Sequence, residues 1–321
     1  VRADARQQET PVSDPALPAA SAVVDDLATV RDMLRYAVSR FREFGLVFGH
    51  GTTNAVDEAA FIVLEGLHLP IDRLDPFLDA RLTRAERTRI VELVHLRVTT
   101  RKPAAYLLGR TYIRGIPFRV DERVIVPRSY IGELLLSDAL VGEDAFIPDV
   151  QAVGSVLDLC TGSGCLAIIA AMTFPDATVD AVDLSPGALE VAALNVADSG
   201  LADRIALHQG DLFAPLGGRR YDLIISNPPY VDAEAMAGLP PEYLHEPRMA
   251  LAAGEDGLDV LRRILADVGR HLSADGALLC EVGTDRPALE EAFPDLPFLW
   301  LDTEESEAEV FWITAAQLSR A

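Results

Sequence analysis

The sequence is short of cysteine and of positive charge, and it has no long apolar run. Its three cysteines, Cys160, Cys165 and Cys280, make no even disulfide framework, which fits a reducing compartment. Cys160 and Cys165 alternate with glycines in what reads as a strand-to-helix turn. No His or Cys stands nearby to complete a ligand set, so both read as small buried residues and no metal is expected. Against 50 acidic side chains stand only 28 basic ones, a formal net charge of −22. So acidic a surface repels phosphate, which argues against DNA, non-specific nucleic-acid binding and anionic membranes. It would attract a basic protein, although the same bias can simply serve solubility. No apolar run approaches ~18 residues and no signal peptide opens the chain, so a soluble cytoplasmic protein is expected.

What is present is a chain of 321 residues, half of them hydrophobic, enough for two domains with sizeable cores. Residues 1–25, rich in Ala, Pro, Ser and Asp and without period, read as a disordered tail. From Leu27 the apolar positions Val30, Leu34, Ala37, Val38 and Phe41 recur at helical spacing. Asn54 to Glu65 resumes the pattern after the Gly49-His50-Gly51-Thr52 break, where His50 reads as a satisfied loop histidine. Thr83-Arg84-Ala85-Glu86 is a capping-box signature for a third helix running through Val98. Residues 26–100 therefore predict a small helical domain. Tyr112-Ile113 and Phe118-Arg119-Val120 flank Arg114-Gly115, which predicts a β-hairpin linking two domains over 101–126. Val126-Pro127-Arg128-Ser129 then leads into a helix starting near Tyr130.

From Ser155 strands and helices alternate. Val156–Leu159, Thr178–Val182, Ile205–Leu207 and Tyr221–Ile225 are the first strands. Ala277–Val282, Phe298–Leu301 and Val310–Ile313 follow a helix from Gly257 to Leu272. This alternation predicts an α/β fold with a doubly wound, mostly parallel sheet. Ligands in such sheets lie at the carboxyl ends of the strands, at the switch point of strand order.

Four stretches fall at those ends. The first strand ends in Asp158-Leu159-Cys160-Thr161-Gly162-Ser163-Gly164-Cys165, whose glycines let the backbone turn tightly and pass close to a ligand. As a dinucleotide fingerprint it is weak, because Ala167 holds the third glycine position. Asp183, nineteen residues after Gly164, ends the second strand, where a carboxylate can bind two ribose hydroxyls; its alternative is to cap the helix at Ser185-Pro186. Gly210-Asp211-Leu212 follows the third strand, where a polar side chain can meet an adenine amine. The fourth delivers Ser226-Asn227-Pro228-Pro229-Tyr230. The Asn227 side-chain carbonyl and a backbone carbonyl beside the prolines can accept hydrogen bonds from an NH2 group. Pro228 and Pro229 stiffen the loop and Tyr230 offers a face for a planar group. Alone, such a string can be a proline turn without chemistry. In order, the four describe an adenosine-type ligand across the sheet with an NH2-bearing substrate beside it.

These motifs resemble class I S-adenosylmethionine-dependent methyltransferases. The Asn-Pro-Pro-Tyr loop is flanked by Val126-Pro127-Arg128-Ser129, His245-Glu246-Pro247-Arg248, Gly254-Glu255-Asp256-Gly257-Leu258 and Glu281-Val282-Gly283. Together they look like the HemK/PrmB family of protein glutamine N5-methyltransferases, from about residue 27 to the end. The resemblance implies a Rossmann-like, mostly parallel seven-stranded sheet over 127–321, S-adenosyl-L-methionine as cofactor, and a helical substrate-recognition domain before it. It implies cofactor contacts at Asp158, Cys160, Thr161, Gly162, Ser163, Gly164, Asp183, Asp211, Leu212 and Asn227. Asn227, Pro228, Pro229 and Tyr230 would hold the substrate, with Asn227, Pro228 and Tyr230 catalytic. Glu246 and Glu281 are candidates for shaping the site, and no general base is assigned.

Two branches of the family differ in substrate. One methylates the glutamine of the GGQ loop in peptide-chain release factors, the other a glutamine of large-subunit ribosomal protein L-three. Ser129, Ile131-Gly132-Glu133-Leu134 and the Phe44–Thr52 stretch are similar to the ribosomal-protein branch, with Tyr130 standing where that branch has proline. A basic ribosomal protein, free or in a pre-ribosomal particle, is thus the expected partner. The rivals are an adenine or cytosine amine methyltransferase, which uses similar loops, a nicotinamide-dependent dehydrogenase, and a non-catalytic assembly factor. The charge opposes the first, and the Asn-Pro-Pro-Tyr loop has no use in the second.

Overall fold

The long helices of the N-terminal unit begin where the sequence supplies a cap. The computed structural model describes residues 17–303 and 306–320, and the chain divides into two compact units after Leu107. In the first unit a single helical turn, α1 (Ala20–Val23), precedes α2 (Val30–Glu43), α3 (Ala55–Gly66) and α4 (Arg84–Thr100). Thr29 with Asp32 and Thr83 with Glu86 form reciprocal capping boxes, and the Asn54 side chain accepts from Val56 N and Asp57 N. The apolar stripes of α2, α3 and α4 meet in a core of Met33, Phe41, Ile62, Leu64, Ile90 and Val94. Inside it Arg97 Nε donates to Glu58 Oε1 at 2.7 Å, both side chains being buried. Arg97 Nη2 also donates to Val47 O at 3.0 Å, which fixes the loop that carries buried His50.

The tail expected over 1–25 lies outside the described residues up to residue 16. Beyond that the composition misleads. Val24 and Leu27 are buried, and Arg87 Nη1 donates to Val24 O at 3.0 Å, so two apolar residues and one guanidinium bring the chain into the core before the first long helix.

After α5 (Ala104–Leu108), strands β1 (Arg110–Ile113) and β2 (Ile116–Arg119) form an antiparallel hairpin. Its turn residues Arg114 and Gly115 both have positive φ, the twist that two-residue hairpins favour. The hairpin belongs to the second unit. Ile113 and Phe118 join that unit's core, and the Asn195 amide brackets Arg119, accepting from its N at 2.7 Å and donating to its O at 3.1 Å.

The rest of the second unit runs α6 (Tyr130–Leu135), β3 (Ser155–Leu159), α7 (Cys165–Thr173), β4 (Thr178–Asp183), α8 (Pro186–Ser199), β5 (Ile205–Gln209) and β6 (Tyr221–Ser226). Then follow α9 (Ala233–Gly238), α10 (Asp259–His271), β7 (Leu272–Glu281), α11 (Arg286–Ala292), β8 (Leu299–Leu301), β9 (Val310–Thr314) and α12 (Ala315–Leu318). Seven strands form one sheet in the order β5-β4-β3-β6-β7-β9-β8. The first five are parallel, and β9 pairs antiparallel with both β7 and β8. Strands such as Val156-Leu157 and Leu223-Ile224-Ile225 are apolar without alternation because helices cover both faces. This is the doubly wound, mostly parallel α/β architecture expected, with β7 starting at Leu272 rather than at Ala277. Strand order reverses at β3, so the crevice above β3 and β6 is the switch point. Among the described residues no helix is long and apolar enough to cross a membrane.

Candidate active site

The loop after β3 is shaped from behind. Asp158 is fully buried, and its Oδ2 accepts from Thr161 Oγ1 and, at 3.0 Å, from Ala167 N in α7. From the other side Asn195 Nδ2 donates to Ser163 O at 2.8 Å. Cys160, Gly162 and Gly164 all take positive φ, which throws the chain into a tight coil. A Cβ on Gly164 would lie 3.1 Å from the Ala192 Cβ of α8, whereas one on Gly162 would meet nothing, because Gly162 faces open space. That space is a pocket.

Its floor and walls come from the four predicted strand ends. Cys160, Gly162, Asp183, Gly210, Asp211, Leu212, Asn227 and Pro229 all line it. Asp183 ties two of these segments together, its Oδ2 accepting from Gly162 N and its Oδ1 from Ser185 N, both at 2.8 Å. Burial pushes its carboxyl above the ordinary aspartate range despite those two bonds. The cap of α8 is Ser185, whose side chain accepts from Ala188 N, so Asp183 holds the cap residue in place and still borders the pocket. Burial also raises the Cys160 thiol, and pushes Cys165 up to about 12, so both stay neutral.

Asp158, Thr161, Ser163 and Gly164 stand behind the pocket wall rather than in it. The coil that brings Gly162 and Cys160 forward turns their neighbours back, so Asp158 can act on a ligand only through the loop that it holds. Burial pushes the Asp158 carboxyl up to about 7.

The Asn-Pro-Pro-Tyr loop is fixed at both ends. Ser226 Oγ donates to Leu159 O at 3.0 Å, binding the tips of β6 and β3 together. Beyond the prolines Val231 bridges to Ala252, with Val231 N donating to Leu251 O at 2.8 Å. Between them Pro228 is buried, and the Tyr230 ring lies so close to Gly283 that a Cβ there would sit 2.7 Å from Tyr230 Cε2. Asn227 faces the pocket, and its side chain makes no hydrogen bond to another described residue.

Two glutamates join the flanking motifs to one another. Glu246, its side chain fully buried, accepts from Val126 N at 2.9 Å and from Arg128 Nη1 and Nη2 at 2.6 and 2.8 Å. This straps the Val126–Arg128 segment to the one that supplies Pro247, Met249 and Ala250 to the pocket. Glu281, at the end of β7, accepts from Ser129 Oγ at 2.6 Å and Tyr130 N at 3.0 Å. Burial pushes its carboxyl up to about 7, and the Glu309 charge adds to the effect.

A pH experiment isolates that burial. Below about pH 4.5 Glu281 is protonated whether the chain is folded or not. As pH rises toward 7 the unfolded chain loses this proton first, so folding is penalised, and above about 7 the penalty is constant. Relative to Glu281→Gln, the native protein should lose stability across that window, on the order of 3 kcal/mol in all. Unfolding curves of the two proteins that stay parallel from pH 4.5 to 8 would contradict it.

Several pocket residues carried no sequence signal of their own: Arg123, Val124 and Ile125 before the Val126 segment, and Val260 with Arg263 on α10. The Val126–Ser129 and Gly254–Leu258 motifs pointed only to their neighbourhoods.

Comparison with known proteins agrees with this geometry. The family model "Methyltransferase small domain" matches residues 141–254. The chain is 62% identical to the ribosomal protein uL3 glutamine methyltransferase of Bradyrhizobium diazoefficiens, covering 91% of this chain and 92% of that protein. It is 54% identical to the protein of the same name from Bordetella pertussis, over 92% and 97% of the two chains. For the Neisseria gonorrhoeae protein the identity is 52%, over 91% and 96%. With the sheet order, the four strand-end motifs in one pocket and identity sustained over nine-tenths of its length, the chain belongs to the ribosomal protein uL3 glutamine methyltransferase family.

Proposed function

We propose that this protein transfers a methyl group from S-adenosyl-L-methionine to the side-chain amide nitrogen of a glutamine in ribosomal protein uL3. The observation that carries the reading is a single pocket in which Asp183, Asp211 and the Asn227 amide face the same space. The residues fit the cofactor chemically. A carboxylate at the end of β4 suits the two hydroxyls of a ribose, Leu184, Leu212 and Val260 suit the faces of a purine, and Gly162 leaves room for close approach of the backbone. When bound, the sulfonium supplies an electrophilic methyl group.

The protein's part is to aim the acceptor. An amide nitrogen is a poor nucleophile because its lone pair is delocalised into the carbonyl. The Asn227 side-chain oxygen and the Pro228 carbonyl accept its two N–H bonds, which turns the lone pair toward the methyl group and stabilises positive charge as it develops on nitrogen. Tyr230, pinned against Gly283, with Pro229 provides the flat wall on which the amide lies. No strong base is required, since the proton is acidic after transfer and leaves to water. Asp158, Thr161, Ser163 and Gly164 shape the cofactor loop from behind, and Glu246 and Glu281 hold the Val126–Tyr130 segment in place.

The helical unit up to about residue 100 serves substrate recognition in this reading, as a domain apart from the catalytic one. Ribosomal proteins are basic because they bind RNA, and the charge of −22 draws such a partner while disfavouring DNA and RNA. Three free cysteines and a ribosomal target support a cytoplasmic location.

The test is methyl transfer from labelled S-adenosylmethionine to unmethylated uL3, to release factors and to DNA, with the modified residue mapped by mass spectrometry. One methylated glutamine in uL3 is the expected result. Label on release factors alone would move the substrate to the sister branch, and label on DNA alone would overturn the reading.

A further inference from the structure

We infer that Arg263 is a positioning residue for the adenine end of the pocket. It holds Asp211 so that the site accepts a base with an exocyclic amine and rejects one with a carbonyl at that position. Val260 and Arg263 stand three residues apart on α10, on one face, and both line the pocket beside Asp211 and Leu212. Arg263 Nη2 donates to Asp211 Oδ2 at 2.7 Å. Both side chains are about half exposed, so the pair adds little to the stability of the fold. Its placement at the pocket rim is what gives it a use.

A carboxylate has about four acceptor positions and no donor. With Oδ2 held by the guanidinium, Asp211 presents Oδ1 in a fixed direction. An adenine amine there gains a charge-assisted hydrogen bond, whereas a C6 carbonyl would face a carboxylate oxygen and be repelled. Without Arg263 the half-exposed Asp211 turns to water, and both attraction and repulsion weaken. The inference rests on the proposed cofactor, and it adds a source of base selectivity that the strand-end motif alone does not supply.

Calorimetric titration with S-adenosylhomocysteine and with its inosine counterpart, S-inosylhomocysteine, tests it without any turnover. The native protein should prefer the adenine form by about a hundredfold or more. Arg263→Met should lower that ratio about tenfold, Arg263→Lys should keep most of it, and neither should change thermal unfolding. A ratio unchanged in Arg263→Met, or a native protein indifferent to the base, overturns the positioning role while leaving the cofactor assignment standing. A native protein that binds neither compound overturns both.

Discussion

Asn227→Ala should lower the methyl-transfer rate at saturating substrates by about two to three orders of magnitude, the usual cost of removing one preorganised hydrogen-bonding group from a site of developing charge. Cofactor affinity should stay within a few fold. The separation follows from how Asn227 is held. Ser226 and Leu159 fix the tip of β6, and Val231 fixes the loop beyond the prolines, so the backbone survives loss of the side chain. The side chain itself serves no internal bond among the described residues, and thermal stability should not move. Single-turnover rates with bound cofactor read the effect directly. A variant that keeps near-native turnover would remove Asn227 from the mechanism, and a large loss of cofactor affinity would make it a cofactor residue instead.

What the sequence made legible were demands on the backbone at fixed points of a regular architecture. Gly162 and Gly164 stand where a strand must turn tightly into a helix, and Pro228 and Pro229 where a loop must stay stiff. Asp183 ends one run that reads as a strand, and Asp211 stands two residues past the end of another. Such features are local and follow one another along the chain in the order β3, β4, β5 and β6, whereas the sheet sets those strands side by side as β5-β4-β3-β6. Four of them meet in one pocket because the reversal at β3 brings their ends together.

The side chains behind the pocket were not legible for the opposite reason. A carboxylate at a strand end reads alike whether it borders the pocket, as Asp183 does, or stands behind the loop, as Asp158 does. The coil of Cys160, Gly162 and Gly164 decides between them, and positive φ at Cys160 is not predictable from its type. The strap from Val126 N and Arg128 to Glu246 joins residues some 120 positions apart, and no periodicity carries that pairing. Helix α10 was legible as a helix, yet nothing in its sequence told that its face with Val260 and Arg263 borders the pocket. Val24 shows the same limit at the N-terminus, where composition suggested a tail and one guanidinium on α4 draws the chain into a core.

The other large effect belongs to Asp183. Asp183→Ala should raise the dissociation constant for S-adenosylhomocysteine by about two orders of magnitude. Two hydrogen bonds from ribose hydroxyls to a carboxylate contribute roughly 1.5 kcal/mol or more each, and 1.4 kcal/mol is a factor of ten. The variant also frees Gly162 N and Ser185 N, which the carboxylate now holds at 2.8 Å, so the glycine loop loses its brace on the ligand side. Asp183→Asn should do little better, because one face of the amide would turn an NH2 toward a backbone N–H. The native protein's own pH response has a definite sign. The ionised carboxylate is the better acceptor for the ribose, and burial raises its pKa. Affinity should therefore be full at neutral or higher pH and fall as pH is lowered, beginning at a higher pH than an ordinary aspartate would give. Calorimetry across that range on the native protein and on Asp183→Ala separates ribose binding from a purely structural role. If the aspartate only holds Ser185, the cap of α8, and the Gly162 loop, thermal stability drops and the dissociation constant stays where it was.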